Sequence, residues 1–275
     1  MSVAASSPTG AETGRGPTEW ALRCELAAVY RLVDHFRMTD LIYTHISLRL
    51  PGPEHHFLIN PYGLLFSEIT ASSLVKIDLD GNPVDPPPAV PTGFGVNPAG
   101  FVIHSAVHRA RPDAHCVLHT HTRAGCAVAA QRDGLLPLNQ MSMEFYGRVG
   151  YHAYEGVALS LAEQERLVAD LGPHPALILR NHGLLTVGGT AGQAFLRMYY
   201  LERACEIQVT AQSTGVPLVL PEPEICERAA RQLTGEPLDD PELGGEDDYV
   251  DADAGALAWG ALRRLADRIA PDLAT

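Results

Sequence analysis

Apolar positions return along this chain with two periods. Between Trp20 and Arg37, residues Leu22, Leu26, Val29, Tyr30 and Val33 recur every three or four positions, which predicts an amphipathic helix. From His45 the period drops to two. His45-Ile-Ser-Leu-Arg-Leu50 alternates, Pro51-Gly52-Pro53 interrupts it, His56-Phe-Leu-Ile59 resumes, and Asn60-Pro-Tyr-Gly63 turns the chain. That is the pattern of a hairpin or meander, not of a βαβ unit. Residues 73–78 predict a short strand ended by Asp80-Gly81-Asn82, and the proline-rich stretch 83–98 a loop.

Asn97-Pro98 places a capping residue before a proline at the first helical position and predicts a helix to about Arg111. Cys116–His121 then forms a short apolar strand with two histidines at its end. Residues 123–131 predict a helix, 148–154 a strand, 160–171 a helix and 176–179 a buried strand, which Arg180-Asn-His-Gly183 turns into 184–187. Thr190 or Gly189 caps a long helix to Thr214, with Gly215 at its C′ position.

Composition adds boundaries. Residues 1–17 lack periodicity and predict a flexible leader before a body spanning 18–216. Residues 217–275 form an acidic, proline-rich tail that predicts a solvated segment, ending in an amphipathic stretch of Leu257, Leu262, Leu265 and Ile269. That stretch, with Trp259, docks on the body or on a neighbouring subunit. With 33 acidic against 20 basic residues the net charge is −13, which disfavours nucleic acid as a partner. The single lysine, Lys76, discourages Schiff-base chemistry. No stretch is apolar enough to span a bilayer and the start is not signal-like, so a cytoplasmic protein without a membrane role is expected. The five cysteines form no CxxC pair and predict buried thiols. No P-loop is present and no GxGxxG follows a strand.

All twelve histidines lie between His35 and His182. His119 and His121 are two apart at a strand end and so face the same way. His182, beside Gly183 at another strand end, supplies a third imidazole, and three such ligands leave coordination positions open, as catalytic metal sites do. His104 and His108 share a helix face. His104 suits a pocket position that orients a ligand, and His108 the surface. His55, His56, His115 and His174 sit at turns and carry no expected role.

Phe101-Val-Ile-His104, Arg111-Pro-Asp113, Val117-Leu-His119-Thr-His121, Arg180-Asn-His-Gly183, Tyr200-Leu-Glu202 and Cys205-Glu-Ile-Gln208, in this order over residues 20–215, resemble the class II aldolase/adducin family. The resemblance implies a three-layer α/β/α fold around a mainly antiparallel sheet. It also implies a homotetramer with active sites between subunits, a small-molecule substrate, and a metal triad of His119, His121 and His182. The metal would be zinc, with iron or manganese as alternatives.

The departures from the family pattern are informative. The acidic base of the family's sugar-phosphate aldolases, four positions before the helix histidine, falls on Gly100. A Ser-Gly phosphate-binding turn becomes Tyr62-Gly63, an Asn becomes His45, and small hydroxyl residues become Pro98-Ala99. Sugar phosphates are disfavoured, and Tyr62, Tyr146 and Arg148 suit a carboxylate or an aromatic ring. Glu144 or Tyr146 would replace the missing base.

Three functions remain open. One is a metal-dependent lyase that decarboxylates or retro-aldol-cleaves a non-phosphorylated oxo or hydroxy acid through a metal-stabilised enediolate. Another is a non-haem iron oxygenase resembling the prenylated hydroxybenzoate-forming enzymes. The last is a non-catalytic, adducin-like binding protein.

Overall fold

The computed structural model describes residues 17–85, 95–156, 162–235 and 254–275, so the expected leader falls outside the described residues except for Pro17, as do residues 236–253 of the acidic stretch. Helix α1 (Glu19–His35) is opened by Thr18, whose hydroxyl accepts from the Ala21 N–H at 3.2 Å. Strands β1 (His45–Arg49), β2 (Phe57–Ile59) and β3 (Val75–Ile77) follow as an antiparallel meander. Helix α2 (Pro98–Ala110) begins at the proline of Asn97-Pro98 and leads into β4 (Cys116–Thr120). Next come α3 (Arg123–Ala129), the single turn α4 (Gln140–Met143), β5 (Val149–His152) and α5 (Glu163–Leu171). Strands β6 (Ala176–Leu179) and β7 (Gly183–Gly188) precede the long α6 (Ala191–Ser213). Thr190 caps α6, and Gly215 follows its C-cap at φ +70°, a conformation glycine adopts without steric cost.

The seven strands form one sheet in the order β3-β2-β1-β4-β7-β6-β5, antiparallel throughout except for the β5–β6 pair. Period-two alternation sends successive side chains to opposite layers. Cys116, Leu118, Ile178 and Leu184 join the core beneath α1 and α6. Val117, Leu177, Leu179 and Leu185 join a second core beneath α2 and α5. This is the three-layer α/β/α arrangement around a mainly antiparallel sheet. All five cysteines are free thiols. Among the described residues no helix is long and apolar enough to cross a membrane.

One expectation needs correction. The segment after Pro217 is not uniformly solvated: α7 (Pro223–Thr234) buries Cys226 and Ala230 and packs against α4, because its apolar positions fall on one helical face despite the acidic composition. The terminal helix α8 (Ala254–Ile269) docks on its own chain. Trp259 lies over Gly192 of α6, where any Cβ would strike the indole, and its Nε1–H donates to Glu25 of α1 at 2.7 Å. Leu262 and Leu265 pack on the core with Trp259, whereas Leu257 and Ile269 of the same stripe are exposed.

Candidate metal centre

The ends of β4 and β7 that meet at Thr120 and Gly183 position three imidazoles. Their Nε2 atoms converge, with His119 to His121 at 2.8 Å and His121 to His182 at 2.9 Å. A Cβ at position 183 would collide with the Thr120 carbonyl, so glycine is what lets β7 close against β4 at this point. Asn181, in the tight turn before His182, takes a left-handed φ of +57°. His119 is buried, whereas His121 and His182 are half-buried.

Outer partners fix the orientation of two of the rings. His119 Nδ1–H donates to the Leu184 carbonyl at 2.8 Å, and His121 Nδ1 lies 3.0 Å from the Asp40 carboxylate, again as donor. A neutral ring whose Nδ1 hydrogen is committed in this way offers only a lone pair at Nε2. Two lone pairs 2.8 Å apart are not a hydrogen bond; a cation between them accounts for the arrangement. Burial and the neighbouring His121 push the His182 imidazole down to about 4, so it is neutral at pH 7 and able to ligate. The residues present therefore fit a divalent metal bound by three nitrogens.

On the α6 face, Thr120 and Thr122 donate to the carboxylate of Glu202, the former at 2.6 Å. Burial raises the Glu202 carboxyl to about 7, and the two hydroxyl donors only partly offset it. Cys126 Sγ lies 2.9 Å from the His182 carbonyl.

On the α2 face, His45 and Ser47 of β1 point at α2, as period two requires. His45 Nδ1 meets His104 Nε2 at 2.8 Å, His104 Nδ1 meets Ser47 Oγ at 2.6 Å, and the same Oγ meets His108 Nε2 at 2.7 Å. The series ends at the Ala114 carbonyl, 3.1 Å from His108 Nδ1. His108 is thus not a surface residue: it is 2% exposed and its ring lies against Phe57, 4.8 Å between centroids. Burial, with the nearby Arg49 charge, lowers its pKa to about 3.

His45 and His104 thus stand beside the triad, the His45 ring 5.2 Å from that of His119. Gly100, at the start of α2, abuts the His45 ring. The Tyr62-Gly63 turn follows Asn60, at the sheet end where Tyr30 ties Asn60 to Ile46. Glu144 and Tyr146 are placed elsewhere within the chain. Glu144 has Arg197 and Arg148 as its charged neighbours, and burial lifts its carboxyl to about 7. Arg197 in turn donates to Val187 near the far end of β7. Tyr146 lines a cavity of about 240 Å³ with Leu135, Ser142 and Tyr151. A cavity of about 850 Å³ is bounded by Arg49, His115, Thr190 and Trp259, and no residue of the triad lines it.

Sequence reasoning missed Asp40 and Ser47. Neither has a motif: Asp40 meets His121 across 81 positions, and Ser47 is one small polar residue in an alternating strand.

Comparison with known proteins gives a consistent picture. Residues 24–209 match the family model described as class II aldolase and adducin N-terminal domain. An aldolase II superfamily protein from Pseudomonas syringae is 51% identical, with a TM-score of 0.82 over 95% of this chain and 98% of that one. L-fuculose 1-phosphate aldolase from Glaciozyma antarctica is 26% identical, with a TM-score of 0.76 over 95% and 96% of the two chains. Alpha-adducin of Rattus norvegicus is 50% identical over 209 residues, 74% of this chain but only 28% of adducin.

Proposed function

Because the chain belongs to the class II aldolase and adducin N-terminal domain family, we propose that it is a divalent-metal-dependent carbon–carbon lyase. Its substrate is a small, non-phosphorylated oxo or hydroxy acid, cleaved by decarboxylation or retro-aldol reaction. The observation that carries this reading is the convergence of three Nε2 atoms, with the outer nitrogens of His119 and His121 held by the Leu184 carbonyl and Asp40. His119, His121 and His182 would hold one zinc ion, or manganese or iron, per subunit. Such an ion supplies a Lewis acid for adjacent oxygens of the substrate. Asp40 and the Leu184 carbonyl keep the ring nitrogens aimed inward, and His45, Gly100 and His104 shape the space beside them.

Glu144 and Tyr146 come to the triad of an adjacent chain in this reading, within a homotetramer. Sedimentation of a monomer at micromolar concentration would refute that assembly. No nucleic-acid or membrane partner is part of the proposal, and its setting is the cytoplasm.

The likeness to alpha-adducin favours a second reading, a binding protein without catalysis. Elemental analysis of protein purified without added metal or chelator separates the readings. One zinc or manganese per chain, lost in His119→Ala and His182→Ala, supports the lyase. Iron with oxygen consumption supports the oxygenase, and no bound metal supports the adducin-like protein.

A further inference from the structure

We propose that His45 takes the place left by Gly100, its Nε2 accepting the hydroxyl hydrogen of a hydroxy acid seated at the triad, with Ser47, His104 and His108 as the residues that fix this polarity. The inference rests on the metal-site reading and names the group that recognises the substrate.

The polarity follows from one end of the hydrogen-bonded series. The Ala114 carbonyl can only accept, so His108 Nδ1 donates to it at 3.1 Å. His108 is buried with the Arg49 guanidinium beside it, Arg49 donating to the His108 carbonyl, so a second positive charge there is disfavoured and the ring is neutral. Its Nε2 is then an acceptor, and the Ser47 hydroxyl spends its one hydrogen on it at 2.7 Å. The Ser47 oxygen must therefore accept from His104 Nδ1–H at 2.6 Å. His104 Nε2 becomes the acceptor for His45 Nδ1–H at 2.8 Å. Each neutral imidazole carries one hydrogen, so His45 Nε2 is left with a bare lone pair.

That nitrogen has no hydrogen-bond partner among the described residues. A Cβ on Gly100 would stand 2.9 Å from it, so it occupies the ground where a side chain at position 100 would begin. The ring is 5.2 Å from that of His119. An acceptor beside a metal triad selects ligands carrying a hydroxyl hydrogen and disfavours those that present only acceptors. The neighbouring strand thus places an acceptor where Gly100 leaves space, and α2 and β1 hold it in one tautomer.

The test uses the full-length protein in two arms. In the first, metal-free protein labelled with 15N-histidine is examined at neutral pH by two-bond proton–nitrogen correlation. His45, His104 and His108 are expected as Nδ1–H tautomers, and Ser47→Ala should leave His104 and His45 as tautomer mixtures. A His45 carrying its hydrogen on Nε2 overturns the proposal. In the second arm zinc loading is confirmed first, so that its failure counts against the metal-site reading alone. Calorimetry then compares glycolate with acetate. The preference for glycolate should fall about tenfold in His45→Leu and largely return in His45→Gln, which restores an acceptor. A preference unchanged in a folded, zinc-loaded His45→Leu protein overturns the proposal.

Discussion

The imidazole of His45 fills the space that a side chain on Gly100 would need: a Cβ built there stands 2.5 Å from His45 Cδ2 and 2.8 Å from Cγ. A methyl group at position 100 therefore has to displace a ring that is hydrogen-bonded to His104 and packed on His119. Gly100→Ala is expected to cost about 1–3 kcal/mol through overpacking, read from urea unfolding. Gly100→Glu should narrow the site further and impair the native reaction. A Gly100→Ala protein as stable as the parent would show that His45 is not held where the structure places it.

Metal affinity should depend on a residue that is not itself a ligand. Asp40 takes the Nδ1 hydrogen of His121, and replacing it by Asn weakens both the orientation and the basicity of that ligand. Asp40→Asn is expected to lower zinc affinity about 10–100-fold, measured by competition with a chromophoric chelator. His119→Ala should lose most of the metal while keeping the fold, since both core layers are formed by apolar side chains.

The buried histidines make stability depend on pH with a definite sign. His108 titrates near 3 when folded against about 6.5 when unfolded. Its neutral form therefore stabilises the fold fully above pH 6.5, and that contribution is lost as the pH falls towards 3. Burial lowers His45 and His104 in the same direction. Glu202, raised to about 7, acts oppositely: its contribution is present below about pH 4.5 and is lost as the pH rises through 7. Metal-free protein should lose stability from pH 6.5 to 4.5. In His108→Asn the slope should be shallower by about 1.4 kcal/mol per pH unit, one proton's worth. Parallel slopes for the two proteins in urea titrations would contradict the buried neutral state of His108.

The terminal helix should contribute to stability and not to the metal centre. Trp259 is half-buried against Gly192, at the start of α6, and bonded to Glu25 of α1. Trp259→Ala is expected to cost about 2 kcal/mol, below the 3–5 kcal/mol of a fully buried indole. Zinc content per chain should not change, and a parallel loss of zinc would tie α8 to the site.

These sites differ in how far the sequence discloses them. The triad is legible because strand periodicity puts His119 and His121 on one side, and the Asn-His-Gly turn delivers His182 to the adjacent strand. The long helices and their caps at Thr18 and Thr190 follow from local chemistry. His108 was not legible: a histidine near a helix end is usually solvated, and only the register of β1 against α2 reveals the Ser47 hydroxyl waiting for it. Asp40 belongs to the same class, since loop closure over 81 positions leaves no periodic trace. Composition hid α7, whose two buried positions, Cys226 and Ala230, are four apart within an acidic segment. Glu144 is the acidic residue expected to replace the missing base, whereas within the chain its charged neighbours are Arg197 and Arg148.

The substrate class is the sharpest remaining expectation. A phosphate group needs donors, from side-chain hydroxyls, amides or cations, to satisfy its oxygens. Here the strand position beside the triad carries His45, whose hydrogen is already given to His104, so the site meets phosphate oxygens with a lone pair. The relative named L-fuculose 1-phosphate aldolase shares the fold at 26% identity, and that likeness does not carry its substrate to this chain. Steady-state assays with fuculose-, rhamnulose- and ribulose-type phosphates should show no useful turnover with the zinc- or manganese-loaded protein. A rate near 1 s⁻¹, at about the low end of typical enzymes, would mean that donors other than the described residues beside the triad reach the phosphate. In the adjacent-subunit reading Tyr146 is the candidate donor, and Tyr146→Phe the first variant expected to lose the activity.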